Sequence, residues 1–266
     1  KPLEINNPFE WDMMDYKNLN RSNWDLQGKS TYNLIEKLKG QPYTVENVFR
    51  NIFVGLQTGL DGVFVFEGVD KGNHIRGYNS KFNYHFDIEK DLLKPILGGK
   101  DVFKYLINQN SNYVLFPYKK DGNPISIEFI SKNYPKTFSY LKRFESEIKG
   151  REKGKMNLIN EWHLFTRENN HKKFPFPKIM TREISLGCNM TYDENGEFYH
   201  NTKVYSFVKD KSFNVDDKFY LGILNSKIMW FFIKNTGSEY RGGYYVFKTN
   251  YLKPFPLPAI SNNPEV

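Results

Sequence analysis

Apolar residues in this chain come in short bursts closed off by turn formers, and that pattern limits the fold most. Val63-Phe64-Val65-Phe66 follows a Gly-rich stretch, and Tyr113-Val114-Leu115-Phe116 lies between Asn-Ser-Asn and Pro117. Val204-Tyr205-Ser206-Phe207-Val208 is a third such segment. Runs of this length read as buried strands, and none approaches the ~18 residues needed to cross a bilayer. With 39% hydrophobic and 17% aromatic residues there is ample material for a packed core, which excludes a disordered linker. The single cysteine, Cys188, forms no internal disulfide, so packing must hold the fold; an intracellular, cytoplasmic setting and an inert thiol are expected.

Helical spacing marks three segments. Leu34, Ile35 and Leu38 follow the cap residue Ser30. Ser131 to Lys149 carries Pro135 in its first turn and Phe138, Leu141 and Ile148 at helical period, and is expected as one helix. Asp216 to Lys234 places Leu221, Leu224, Ile228 and Phe231 on a stripe thickened by Trp230 and Phe232, again one helix. Val48 to Val54 and Ile179-Met180-Thr181 read as β, and Asp193-Glu194-Asn195-Gly196 as a hairpin turn. Pro254-Phe255-Pro256-Leu257-Pro258 is forced extended. Helices and strands interleave irregularly, so the expected class is α+β: mixed, mainly antiparallel twisted sheets with a few packed helices. Over 266 residues the expected division is a lead-in at 1–42, one domain at 43–258 and a tail at 259–266. The first residue is not Met, and a fragment of a longer protein is expected.

Lys and Arg number 38 against 30 Asp and Glu, a net charge of +8. Such a surplus attracts polyanions, of which nucleic acid is the commonest soluble one. Much of it sits in segments of loop composition: Lys149, Arg151, Lys153 and Lys155 around Gly150 and Gly154, then His171-Lys172-Lys173 after two asparagines. Tyr240-Arg241-Gly242-Gly243-Tyr244-Tyr245 combines aromatic and basic side chains with two glycines that let backbone approach a ligand.

Catalytic motifs are missing. Gly55-Leu56-Gln57-Thr58-Gly59 has the spacing of neither a dinucleotide nor a Walker loop. The five histidines are scattered, none at metal-ligand spacing from another. Asn7-Pro8-Phe9 lacks the second proline of an adenine-holding Asn-Pro-Pro-aromatic loop. Glu147-Ile148-Lys149 matches the end of a nuclease motif but lies on a helix with no Pro-Asp partner. No catalysis, catalytic residue or metal ligand is expected from this chain.

An ordered series runs through the sequence: Gly55-Leu56-Gln57-Thr58-Gly59-Leu60-Asp61-Gly62-Val63-Phe64, then Leu93-Lys94-Pro95-Ile96-Leu97-Gly98-Gly99-Lys100-Asp101-Val102 and Tyr105. Tyr134-Pro135, Arg151, Trp162-His163-Leu164-Phe165-Thr166-Arg167 and Pro177-Lys178-Ile179 follow. Tyr220-Leu221-Gly222-Ile223-Leu224-Asn225-Ser226-Lys227 and Pro254-Phe255-Pro256-Leu257-Pro258 complete it. From about Val48 to Pro258 the chain resembles the TaqI-like C-terminal specificity domain of adenine-specific DNA methyltransferases and fused restriction-modification enzymes.

The resemblance implies a target recognition domain that grips duplex DNA and reads base edges. A separate catalytic domain of the parent chain would bind S-adenosylmethionine and methylate adenine N6 as the base leaves the stack. No cofactor is implied for this chain itself. The family's turn before its Asp often carries arginine; Gly99-Lys100 stands here, and lysine lacks the rigid fork of bidentate base recognition. Gly55, Thr58, Gly59 and Asp61 are expected to build a structural turn, and Gly98 and Asp101 a turn with its cap. The implied DNA face is Arg151, Lys153, Lys155, Arg167, His171, Lys172, Lys173, Lys178, Arg182 and Arg241. In it, lysines hold phosphates, Arg182 and Arg241 read base edges, and Tyr240 and Tyr244 pack on sugar or base. Two other readings stay open: a protein-interaction domain like a specificity subunit, and a nuclease or methyltransferase with unrecognised motifs.

Overall fold

A computed structural model describes residues 29–158, 160–167 and 170–259; Asn7-Pro8-Phe9 and the last seven residues lie outside that set. Helix α1 (Lys29–Lys39) buries Ile35, while Leu34 is exposed and Leu38 half-buried. Strand β1 (Tyr43–Thr44) runs into the single turn α2 (Val45–Val48), where Asn47 Oδ1 accepts the Thr44 N–H at 2.8 Å. Part of the segment read as β from Val48 is thus helical, and strand β2 is Asn51–Val54.

The apolar run at Val63 divides between two elements. Leu60 O accepts the N–H groups of Val63 and Phe64 at 3.0 and 3.1 Å, which makes Asp61–Phe64 the turn α3. Val65 and Phe66 open strand β3 (Val65–Asp70). Strands β4 (His74–Asn79), β5 (Tyr84–Glu89) and β6 (Leu93–Leu97) follow. A tight turn at Gly99–Asp101 leads to the hairpin of β7 (Val102–Phe103) and β8 (Leu106–Ile107), then to β9 (Asn112–Leu115).

The helix expected from Ser131 to Lys149 is three: α4 (Ile127–Asn133), α5 (Pro135–Arg143) and α6 (Glu145–Lys149). Pro135 crowds the residue before it, and Tyr134 leaves helical geometry at φ −133, ψ 67. Phe144, at φ −104, ψ 18, makes the second break. Strands β10 (Lys178–Arg182), β11 (Ile184–Ser185), β12 (Met190–Asp193), β13 (Tyr199–His200) and β14 (Val204–Val208) come next. The chain does turn at Asp193–Gly196, with Gly196 at φ 67. It forms no hairpin, because β13 pairs in parallel with β6 instead of returning along β12.

The last long helix is likewise two, α7 (Asp217–Leu224) and α8 (Lys227–Thr236). At the break, the Asn225 side chain accepts from the Met190 N–H and donates to its carbonyl, both at 2.9 Å. Ser226 caps α8 by accepting the Met229 N–H. Strand β15 (Tyr245–Val246), the turn α9 (Thr249–Leu252) and strand β16 (Pro256–Leu257) close the described chain. The prolines hold the last segment extended, and it pairs antiparallel with β1, Tyr43 opposite Leu257.

The fold is α+β with mainly antiparallel strands, as expected. One sheet has the order β13-β6-β9-β3-β4-β5, a second β12-β10-β14-β2, and β1–β16, β7–β8 and β11–β15 are separate pairs. The second sheet is buried on both faces. Ile179 and Phe207 turn toward α1, α7 and α8, while Phe53 turns toward the core under the first sheet, with Trp162 and α5. Phe207 is fully enclosed, a burial that contributes about 1.5–3 kcal/mol. Cys188 is buried too, and desolvation pushes its thiol up to about 12, too high for a thiolate at neutral pH. Among the described residues no helix is long and apolar enough to cross a membrane.

Candidate nucleic-acid interface

Three of the basic residues expected on a DNA face lie inside the protein. Arg151 is 6% exposed. Its guanidinium donates to the carbonyls of Ile148 (2.8 Å), Thr58 (2.6 Å), Trp162 (2.7 Å) and Leu164 (2.8 Å). It therefore ties the Gly55–Asp61 turn to the segment after α6, and burial lowers its pKa to about 10. Lys178 is fully buried and donates to Asp193 Oδ2 and, at 2.8 Å, to Phe174 O. Register explains the pair: Lys178 of β10 stands directly opposite Asp193 of β12. His171 is enclosed by the rings of Phe116, Tyr118 and Phe165, and desolvation pushes it down to about 4, so it is neutral at pH 7. None of these three side chains can reach a phosphate.

Arg182 ends β10 and is half-buried. Its Nε donates to the Val102 carbonyl and its guanidinium lies over the Phe103 ring, 4.4 Å from the centroid. A positional part fits it better than the expected reading of bases, because its Nε and ring contact hold the β7–β8 hairpin and its Nη2 is buried.

The other expected residues fall into separate groups. Lys153 is exposed at a left-handed kink formed with Glu152 and Gly154; the side chain of Lys155 lies outside the described set. Arg167 is exposed and bridges Gln57 through backbone. Lys172 is exposed, and Lys173 is half-buried with its ammonium 5.6 Å from the Phe53 ring centroid. Lys172 and Lys173 precede the first residue of β10, whereas Arg182 is its last. Five strand residues separate these ends by about 13 Å. The basic residues therefore sit on several separate segments, with Arg151, His171 and Lys178 buried.

Tyr240, Arg241 and Tyr244 are all exposed. Their turn is closed by the Tyr240 N–H donating to Tyr244 O at 2.6 Å, and it needs glycine at Gly242 (φ 73) and Gly243 (φ 77). β15 follows and pairs with β11, which sets the turn beside Leu186: a Cβ at Gly243 would lie 3.8 Å from Leu186 Cδ2. Tyr244 lies near enough to act on the Arg182 guanidinium, which also grips the hairpin, so the turn and the β7–β8 hairpin share this edge.

The hairpin itself escaped the sequence reading. Phe103 (40%), Tyr105 (56%) and Leu106 (60%) are exposed there, beside Leu186 (56%), Tyr240 (48%) and Tyr244 (41%). Lys100, Lys104 and Arg241 are exposed around them, and Lys203 and Lys248 share the single carboxylate Glu183 at 3.4 Å each. The signal was a short apolar and aromatic run from Val102 to Ile107, broken only by Lys104 and too short to stand out. The preceding turn is as expected, with buried Asp101 accepting the Gly98 N–H at 2.8 Å. The Gly55–Asp61 turn also forms, and Thr58 Oγ1 donates to Asp61 Oδ1 at 2.5 Å.

An edge of exposed aromatic and aliphatic side chains ringed by cations suits a polyanion with flat apolar edges. The chain is 23% identical to the type II methyltransferase M.BstVI of Geobacillus stearothermophilus over 240 residues, 88% of this chain and 38% of that protein. It is 22% identical to M.PaeR7I of Pseudomonas aeruginosa over 91% of this chain and 38% of that one. With M.XhoI of Xanthomonas vasicola it shares 23% identity over 91% of this chain and 40% of the relative. The chain thus spans about two fifths of the length of these relatives, each named a type II methyltransferase. Residues 94–257 match the TaqI-like C-terminal specificity domain, more than half of the chain, and the chain belongs to that family.

Proposed function

We propose that this chain is the double-stranded DNA-binding, target-recognising domain of a type II adenine-N6 DNA methyltransferase. The observation that carries this reading is the specificity-domain match over residues 94–257, whose span contains the cation-ringed aromatic edge. Methyl transfer belongs to a catalytic domain of the same parent protein, which also holds S-adenosylmethionine; the present chain supplies grip and base discrimination. The working place is then the cytoplasm, where the DNA is. Lys100, Lys104, Arg241 and Lys248 contact phosphates and fix register, and the exposed rings face sugar and base.

Titration of the chain against fluorescent random-sequence duplexes at several salt concentrations tests this. The logarithm of the association constant falls linearly with the logarithm of salt, by about 0.9 per phosphate neutralised. The double variant Lys104→Glu, Arg241→Glu binds more weakly and with a shallower slope. A chain that binds no duplex at low salt sinks the reading.

A further inference from the structure

The two-residue tip of the β7–β8 hairpin is held in a conformation that favours glycine, yet it carries a tyrosine. Tyr105 has φ 62. Bulky residues in the left-handed region are strained, and they persist where surrounding structure enforces them. Here the Tyr105 N–H donates to Met190 O at 2.8 Å, which fastens the tip to β12. Below the tip, Arg182 clamps the Val102 carbonyl and the Phe103 ring. The backbone is thus fixed from two sides while Tyr105 and Leu106 stand 56% and 60% exposed. Folding gains little from either side chain, and glycine would fit the backbone of Tyr105 without strain.

We infer that Tyr105 and Leu106 are specificity-determining residues that press against base edges within the duplex. The inference rests on the DNA-binding reading above and assigns the base-contacting part of it. A two-stranded β-ribbon is narrow enough to enter the major groove, where apolar and aromatic side chains meet the thymine methyl group. Lys100 in the turn before the ribbon, Lys104 at its tip and Arg241 are exposed cations that could meet the phosphates bordering a groove. Arg182 is a positioning residue: it orients the ribbon and touches no base.

Wild-type chain is first used to enrich binding sequences from a pool of random duplexes. Affinity for the enriched sequence and for the unselected pool is then measured across a salt series. The variants are Tyr105→Gly, Leu106→Ala, their combination, and Lys104→Ala with Arg241→Ala. The combined hairpin variant is expected to lose about 10- to 100-fold in affinity for the enriched sequence. Its affinity for the pool and its salt slope stay as in the wild type. The lysine–arginine variant weakens both affinities and flattens the slope. Because Tyr105→Gly relieves the backbone, that variant keeps or raises the melting temperature, which separates lost contact from lost fold. Wild-type preference retained in the combined variant overturns the hairpin assignment but leaves DNA binding standing, as does a wild-type chain that binds DNA and enriches no sequence. A wild-type chain that binds no DNA overturns both.

Discussion

Lys178 and Asp193 form an ion pair sealed between the two sheets, with the ammonium of one 2.5 Å from the carboxylate of the other and their side chains 0% and 2% exposed. Burial presses the lysine toward neutrality, and the facing carboxylate opposes it. Removing one partner strands the other charge, at a cost of about 3–5 kcal/mol, whereas replacing both with apolar residues is often nearly neutral. Lys178→Ala is therefore expected to lower the denaturation midpoint sharply, and Lys178→Met with Asp193→Leu to recover only part of it, because Asp193 also accepts the Glu197 and Phe198 N–H groups. Chemical denaturation followed by tryptophan fluorescence measures both. Equal stability of Lys178→Ala and wild type would contradict the pair's role.

Arg151 joins the carbonyls of Ile148, Thr58, Trp162 and Leu164. Arg151→Met leaves those buried acceptors open, at about 1–3 kcal/mol for each left unsatisfied, less whatever water recovers. Arg151→Lys keeps the charge but lacks the planar fork, and is expected to rescue only a minor part. The decisive comparison is the unfolding free energy of the two variants. A Lys variant as stable as wild type would mean that charge, not geometry, matters there.

Acid should destabilise the fold well before the carboxylates titrate. Burial holds His200 at about 3 and His171 at about 4, against roughly 6.5 in an unfolded chain. Near pH 5 the unfolded chain binds protons that the folded one refuses, so acidification favours unfolding. The contribution is complete above about pH 6.5 and shrinks as pH falls from there to the folded pKa. Each histidine removes up to about 1.4 kcal/mol per pH unit. Urea midpoints between pH 7.5 and 5 should drop accordingly, and less steeply in His171→Phe, which keeps its ring among Phe116, Tyr118 and Phe165. Parallel profiles for the two proteins would refute this.

Asn225 closes both hydrogen-bonding groups of Met190 from the break between α7 and α8. Asn225→Ala strands the buried Met190 N–H, while the carbonyl keeps the Tyr105 N–H, a loss of about 1–3 kcal/mol. Asn225→Asp can still accept the Met190 N–H but sets a buried carboxylate against the Met190 carbonyl, to which it cannot donate, and should be at least as damaging. Thermal melts of the two variants would show it; an unchanged melting temperature in either removes Asn225 as the link between helix and strand.

The α+β class, the strand Val204–Val208, the helix bearing Ile35, the extended proline exit and the Gly98–Asp101 turn were legible in the sequence. Each depends on local chemistry: alternation, helical spacing, fixed proline dihedrals or a cap three residues away. Breaks at Tyr134 and Asn225 were not legible as breaks. The first needed the steric effect of Pro135 weighed above apolar period, and the second depends on Met190, far away in sequence.

Composition and motif order alone placed this chain in its family and marked it as basic. Which positive charges face a ligand was decided by tertiary structure, through contacts between residues distant along the chain. Lys178 lies inward because β12 brings Asp193 opposite it, and Arg151 because three separate segments turn their carbonyls toward one point. Arg182 is occupied because the hairpin reaches it from eighty residues away. A charge in a sequence has no sidedness; packing confers it, since desolvating a cation is tolerated only where a partner awaits.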